Sequence, residues 1–232
     1  MSKKRLIVFT GAGVSAESGI KTFRDSGGLW EDYRIEDVAT PEAWVNNQEL
    51  VLEFYNQRRK QVLAAKPNAA HYFIAELQTI YDVQVITQNI DDLHERAGSK
   101  KVMHLHGEIM KARSTADPNL VYPLKKSEIK AGDICAKGSQ LRPHIVWFGE
   151  NVPLIENANA LAQQAEIFIV IGTSLNVYPA AGIINFVNQK TPKWLVDPGE
   201  FNLDYIYNLQ HIKQTAVKGI SNLQEALLKS GL

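Results

Sequence analysis

The chain has almost no cysteine, no excess of either charge and no long apolar run, and each absence closes off a class of protein. Cys135 is the only cysteine among 232 residues, so no internal disulfide and no site built from several thiolates can form. Lysine plus arginine equal aspartate plus glutamate at 25 each, which gives no general attraction to nucleic acid or to an anionic membrane. We expect neither as a partner. No stretch approaches the ~18 consecutive apolar residues of a bilayer span. The opening Met1-Ser-Lys-Lys-Arg5 is basic like a leader, but the apolar run Leu6–Phe9 falls short of the roughly 7–15 residues of a secretory core. A reduced, cytoplasmic setting is the expectation.

What is present is an ordinary globular composition, 45% hydrophobic and 22% charged, of a length that suits one domain with a small insertion. Compact apolar runs at Leu6–Thr10, Val83–Thr87, His144–Phe148, Ile167–Ile171 and Trp194–Val196 read as buried strands. Helical periodicity lies between them at Gln48–Ala64, Asn68–Thr79, Val152–Gln164, Pro179–Asn188 and Ser221–Lys229. The alternation predicts an α/β fold, a parallel sheet with helices on both faces and right-handed crossovers. Ser26–Ala39 reads as an ordered loop with short helical pieces, and Lys111–Gln140 as a small inserted module.

Gly11-Ala-Gly13-Val-Ser15-Ala16 follows the first strand and meets the small-residue pattern of a dinucleotide-binding turn. The acid that usually ends a second strand about 20 residues on is missing, because no strand precedes Asp25. A plain dehydrogenase unit therefore fits poorly. Asp197, at the end of a late strand, could bond a ribose hydroxyl or simply cap an Asp-Pro turn. Val85-Ile-Thr87-Gln88-Asn89-Ile90-Asp91 runs from a buried strand into polar groups, at the rim where parallel sheets bind ligands. His104-Leu-His106-Gly107 follows, and an imidazole suits proton transfer at neutral pH. Taken singly, these last two segments read more simply as caps, turn residues and structural histidines.

Five segments in order change that reading: Gly11-Ala-Gly-Val-Ser-Ala-Glu-Ser-Gly-Ile20 with Phe23-Arg24, Thr87-Gln-Asn-Ile-Asp91, His104-Leu-His-Gly107, Val146-Trp-Phe-Gly-Glu150, and Gly172-Thr-Ser174. The chain resembles the sirtuins, NAD-dependent protein deacylases, from about residue 5 to the last helix. The resemblance implies a Rossmann-like part over residues 1–30, 80–110 and 143–232, a helical insertion over 31–79 and a small module over 111–142. Gly11, Ala12, Gly13, Ser15 and Arg24 would hold phosphates and the nearby ribose, with Ile20, Phe23 and Trp30 as further contacts. Gln88, Asn89, Ile90 and Asp91 would bind nicotinamide and its ribose. Gly172, Thr173 and Ser174 would line the adenine side, with Asp197 and Ala216 further out.

The reaction so implied consumes NAD. The acyl oxygen attacks the ribose carbon as nicotinamide leaves, giving an alkylimidate; His106 then acts as base on a ribose hydroxyl, with Asn89 and Asp91 beside it. The acyl-lysine of another protein would bind by strand addition between Phe148-Gly149-Glu150 and Asn176-Val-Tyr178, with Val146 and Phe148 walling the lysine tunnel. Tyr55 and Arg58 share a helical face with Val51 and Val62, and match the Tyr-x-x-Arg pair of the CobB-type subclass that removes succinyl and malonyl groups. Ala39-Thr40-Pro41 matches that subclass as well. The family's four-cysteine zinc site has no counterpart here: the partner position at Cys-x-x-Cys spacing is Gly138, and Ser114 stands near an earlier one. No zinc is expected, and Tyr122, Leu124, Ile129 and Ile134 are the candidates to hold the module by packing. The rival readings are a module that binds NAD or ADP-ribose without turnover, a dehydrogenase, and ADP-ribosyl transfer to proteins.

Overall fold

The structure is a computed structural model that describes residues 3–21, 29–30 by backbone alone, and 33–230. Phe23, Arg24 and the side chain of Trp30 lie outside the described residues. The first half of the chain forms β1 (Arg5–Thr10), the single turn α1 (Gly13–Ala16), the paired short strands β2 (Leu29–Trp30) and β3 (Tyr33–Arg34), α2 (Ile35–Val38), α3 (Pro41–Asn46), α4 (Gln48–Ala64) and α5 (Ala69–Glu76). Then come β4 (Asp82–Thr87), α6 (Leu93–Arg96), β5 (Val102–His104), β6 (Gly107–Ser114), β7 (Val121–Pro123) and β8 (Leu141–Ile145). The last part holds α7 (Ile155–Gln163), β9 (Ile167–Ile171), a 3-10 segment Ala180–Phe186, β10 (Lys193–Val196), β11 (Leu209–Ile212) and α8 (Ala216–Lys229).

Six strands pair in parallel in the order β11-β10-β9-β1-β4-β5. Alternation along β1 divides the core. Leu6 and Val8 face Phe73 and Ile74 of α5 and Leu223 and Leu227 of α8, whereas Ile7 and Phe9 face Ala158 and Ala162 of α7 and Ile183 and Ile184. Both faces are thus covered, as a parallel sheet requires. The chain crosses from β5 on one side of β1 to β9 on the other, so a crevice opens at the C-terminal ends of β1, β4 and β9. No helix among the described residues is long and apolar enough to cross a membrane.

Several sequence expectations need correction. The run at His144–Phe148 is not a strand of the parallel sheet: strand pairing stops at Ile145, and β8 belongs to a separate antiparallel sheet ordered β7-β6-β8. Periodicity identifies an extended segment but not the sheet it joins. Pro179–Asn188 yields 3-10 rather than α-helix, and α8 begins five residues before the expected Ser221, at Ala216. The edge strands β5 and β11 were not foreseen, because they are short and only partly buried. Ile134, expected to help pack the module, is 61% exposed and pairs by a backbone bridge with Gln140.

The three-stranded sheet hangs on α4. Asn56 bonds both sides of the Ile129 backbone, donating to its O and accepting from its N–H, each at 2.9 Å. Arg59, fully buried, donates to Ile109 O at 2.8 Å, Asn56 Oδ1 at 2.9 Å and Ser127 O at 3.1 Å. Burial pulls the guanidinium pKa down to about 10, which still leaves it charged at neutral pH. Ile129 packs with Leu52 and Ala112 over Leu124 and Leu141. Where a thiolate site would lie, Ser114 and Ser139 hydroxyls stand 3.3 and 3.1 Å from Cys135 Sγ and 2.8 Å from each other. One thiol and two hydroxyls do not suit zinc, and no group of three His, Cys, Asp or Glu among the described residues could hold a metal.

Two outcomes follow for this module. Elemental analysis should find no stoichiometric zinc, and about one zinc per chain would overturn the hydrogen-bonded account. Arg59→Leu leaves the buried Ile109 carbonyl and the half-buried Ser127 carbonyl without their donor. It should cost on the order of 2–4 kcal/mol and raise amide exchange in β6–β8 well before the parallel sheet; uniform exchange would contradict the anchor.

Candidate active site

The site is assembled where two glycine turns meet. Gly13 N–H donates to Gly172 O at 2.8 Å, and Gly11 N–H to Ile171 O at 3.1 Å. A Cβ on Gly13 would lie 2.7 Å from Gly172 Cα, and one on Gly172 would lie 2.2 Å from Val14 N. Gly172 also has φ +66°, a left-handed conformation that glycine adopts without strain. The turns after β1 and β9 are thereby locked, with Ala12 facing solvent.

The turn after β9 reaches the next rim segment through Thr173, whose hydroxyl accepts from Gln88 Nε2 at 3.1 Å and from Leu175 N at 3.2 Å. Ser174 is half-buried beside it. Gln88 N–H continues the β4 register onto Thr10 O at 2.9 Å. Asn89 donates its N–H to Thr87 Oγ1 at 3.0 Å and its Nδ2 to Ser15 Oγ at 3.1 Å. Ser15 Oγ in turn donates to Asp91 Oδ2 at 3.0 Å, while Asp91 Oδ1 accepts from Leu93 N at 3.1 Å. Burial raises the Asp91 pKa, against the pull of these two donors. Ile20 is buried, and Ile90 packs half-buried against the same apolar cluster.

His106 enters from the segment after β5. Its Nδ1 lies 3.0 Å from Gln88 O. A carbonyl only accepts, so Nδ1 carries the proton and Nε2 presents a lone pair. Burial lowers the His106 pKa more than this bond raises it, so the ring is neutral at pH 7. Asn89, Asp91 and His106 therefore belong to one hydrogen-bonded rim. The next strand meets it through Val146 N–H, which donates to His106 O at 2.9 Å.

The expected peptide edge differs from its sequence reading. Phe148 is 44% exposed and Gly149 turns the chain at φ +88°, but Phe148 N–H already donates to Ala39 O and Glu150 N–H to Trp147 O, each at 3.0 Å. Two backbone donors of the expected edge, Phe148 N–H and Glu150 N–H, are thus engaged within the chain. The anchor of this segment is Glu150, which accepts from Arg142 Nη1 at 2.8 Å, Arg113 Nη2 at 3.1 Å and Trp147 N at 2.8 Å. The Arg142 guanidinium also lies 3.2 Å over the Trp147 ring. Asn176, Val177 and Tyr178 are exposed. Val146 is half-buried, so it is not an ordinary core residue. Tyr55 and Arg58 are both buried on α4. Asp197 follows β10 with its Oδ1 accepting from Gly199 N at 2.8 Å, as in an Asp turn, and Ala216 is buried at the start of α8.

Two histidines behind the rim escaped the sequence reading. His71 Nδ1 accepts from Asn68 N–H at 3.2 Å in a capping box, which leaves Nε2 to face Ser15 Oγ at 3.4 Å. His94 Nε2 lies 3.0 Å from Thr10 Oγ1, and the two rings meet edge to face at 5.0 Å. The signal available was polar: Asn68-x-x-His71 opens an otherwise apolar helix.

Residues 11–179 match the Sir2 family. The chain is 50% identical over 226 residues to a Helicobacter pylori (strain J99) NAD-dependent protein deacylase, covering 97% of this chain and 96% of that protein. A Bacteroides thetaiotaomicron NAD-dependent protein deacylase is 49% identical over 230 residues, with 97% and 98% covered. Among solved structures, a mutant Sir2 homologue in complex with ADP-ribose superposes with a TM-score of 0.88 at 39% identity, covering 98% of this chain and 93% of that one. A Sir2 homologue–NAD complex gives 0.86 at 40% identity, with 98% and 91% covered.

Burial holds His71 down to about 4, from an ordinary 6.5. As pH falls from 6.5 toward 4 the unfolded chain takes up a proton that the folded one refuses, so stability falls with pH across that window. The full effect is on the order of 3 kcal/mol. His71→Gln, which cannot titrate, should lose correspondingly less stability between pH 6.5 and 4 in denaturant melts. Equal losses would contradict a neutral buried His71.

Proposed function

The chain belongs to the Sir2 family and is an NAD-dependent protein deacylase, and from that premise we propose that it removes succinyl and malonyl as well as acetyl groups from lysine side chains of other proteins. The observation that carries the catalytic reading is the neutral His106 imidazole, tied through Nδ1 to Gln88 O and leaving Nε2 as a base next to the Asn89–Ser15–Asp91 network.

NAD is consumed as co-substrate and supplies a ribose carbon made electrophilic by its leaving nicotinamide. The donor set of the rim, amides and hydroxyls around one buried carboxylate, suits a sugar and a carboxamide. In this reading Gly11, Ala12, Gly13 and Ser15 hold phosphate and ribose, and Gly172, Thr173 and Ser174 take the adenine side. Gln88, Asn89, Ile90 and Asp91 orient the nicotinamide half. Ile20 and Ile90 keep water from the reacting carbon. His106 Nε2 takes the proton of a ribose hydroxyl as that oxygen bonds the acyl carbon, and gives it up as the lysine amine departs. Acyl-lysine, NAD and water become lysine, nicotinamide and O-acyl-ADP-ribose.

The acyl reading is supported by α4. Tyr55 and Arg58 stand about one turn apart, both buried, and Tyr55 packs in a cluster shared with Ala39, Trp147 and the flanking Ile90. Burial pushes the Tyr55 pKa up, so its hydroxyl stays a donor. With the forked Arg58 guanidinium it would grip the distal carboxylate of a succinyl chain. We place the enzyme in the reduced cytoplasm, a setting that the lone buried thiol of Cys135 supports.

Mass spectrometry with NAD and matched acetyl-, malonyl- and succinyl-lysine peptides should find free lysine, nicotinamide and O-acyl-ADP-ribose from all three. Arg58→Met should cut desuccinylase kcat/KM on the order of a hundredfold and leave deacetylation within about threefold. Equal loss of both would make Arg58 structural, and absence of the acyl-ADP-ribose product would sink the deacylase reading.

A further inference from the structure

His104 and His106 lie two residues apart and grip consecutive carbonyls of the same rim segment. His106 Nδ1 bonds Gln88 O; His104 Nδ1 lies 2.9 Å from Asn89 O. The remaining nitrogens meet opposite surroundings. His104 Nε2 is 2.7 Å from Glu95 Oε1 of α6, and the His104 side chain is only 6% exposed. A carbonyl and a carboxylate both only accept, so both ring nitrogens of His104 donate and the ring is an imidazolium.

The electrostatics agree with that geometry. Burial works against the cation, but the Glu95 bond and charge outweigh it and carry the His104 pKa above its ordinary value, with Glu108 helping. Glu95, whose side chain is 40% exposed, is correspondingly drawn below the usual carboxylate range by the His104 bond and charge. The other charged and titratable neighbours do not alter this. Lys111 is engaged by Glu108 at 2.6 Å, Asp91 is a further carboxylate, and His94 is held neutral by burial. Chemically identical side chains are thus set to different tasks, one neutral and basic, one charged and fully bonded.

We propose that the Glu95–His104 pair is a positioning device that fixes the Asn89 peptide plane, and through it the Asn89 amide, for NAD, without touching the acyl-lysine. Asn89 is held at its N–H by Thr87, at its side chain by Ser15 and at its carbonyl by His104. A charge-assisted donor is the strongest of the three. Without it the Asn89–Ile90 peptide loses its strongest restraint, and Thr87 and Ser15 alone orient the residue and its amide. The inference rests on the reading of Asn89 as a residue of the NAD ribose, and adds to it a residue pair outside the contact shell.

The test is steady-state kinetics with NAD and acetyl-lysine peptide varied separately. His104→Leu removes the donor and should lower kcat/KM for NAD about tenfold to a hundredfold, while the KM for the peptide stays within about twofold. His104→Asn sets a neutral amide N–H close to the Nδ1 position and should recover part of the loss, lacking the charge that Glu95 sustains. His104→Gln reaches toward Glu95 instead and should not. Should the leucine variant fail to fold, the comparison of asparagine with glutamine decides. Wild-type kinetics in His104→Leu, equal loss in both substrates, or equal behaviour of the two amide variants would overturn the positioning role. An inactive wild-type enzyme, assayed alongside, would instead refute the deacylase reading on which the role depends.

Discussion

The rest of the site depends on a backbone contact that tolerates no side chain, that of Gly13 against Gly172. It joins the turns after two neighbouring strands, and from it a series of hydrogen bonds runs outward. Gly172 leads to Thr173, whose hydroxyl holds Gln88, and the Gln88 carbonyl fixes the tautomer of His106. A residue with a Cβ at either glycine would part the turns and loosen an imidazole three links away. The rigidity is that of the sheet: β1, β4 and β9 are central strands, buried on both faces, and their C-terminal ends set the spacing of the three rim segments.

Burial then decides what each titratable group can do. In a dry rim a charge survives only with a partner. His71, His94 and His106 have no acid facing their rings and stay neutral; His104 has Glu95 and is charged. Burial raises the Asp91 pKa against two donors, Leu93 N–H and Ser15 Oγ, and Ser15 also receives the Asn89 amide. A single network thus orders the groups that we assign to sugar chemistry, and its polarity is written in which atoms can donate.

Much of this was legible in the sequence, and the rest was hidden for physical reasons. Leu6–Thr10 and Ile167–Ile171 read as strands because both their faces are buried, and Gln48–Ala64 as a helix because its apolar positions recur at the right period. The ordered motifs carried the glycine turn, Gln88–Asp91 and His106. Periodicity could not assign β8 to its sheet, nor reveal that Phe148 N–H bonds Ala39 O, because both depend on partners distant in the chain. It also passed over Arg59, which lies beside Arg58 yet turns into the small sheet and bonds the Ile109 and Ser127 carbonyls. His71 and Glu95 escaped for the same cause: a polar residue on a helix reads as solvent-facing until its tertiary partner is known.

The central claim is that His106 acts as a base on the sugar after nicotinamide has left, not in the breaking of that bond. It is tested most directly in His106→Ala, by following exchange of labelled nicotinamide into NAD and release of deacylated peptide in the same reaction with acetyl-lysine peptide. Exchange should persist while deacylation falls by a factor on the order of a thousand. Deacylation at the wild-type rate, or loss of exchange in step with deacylation, would contradict it.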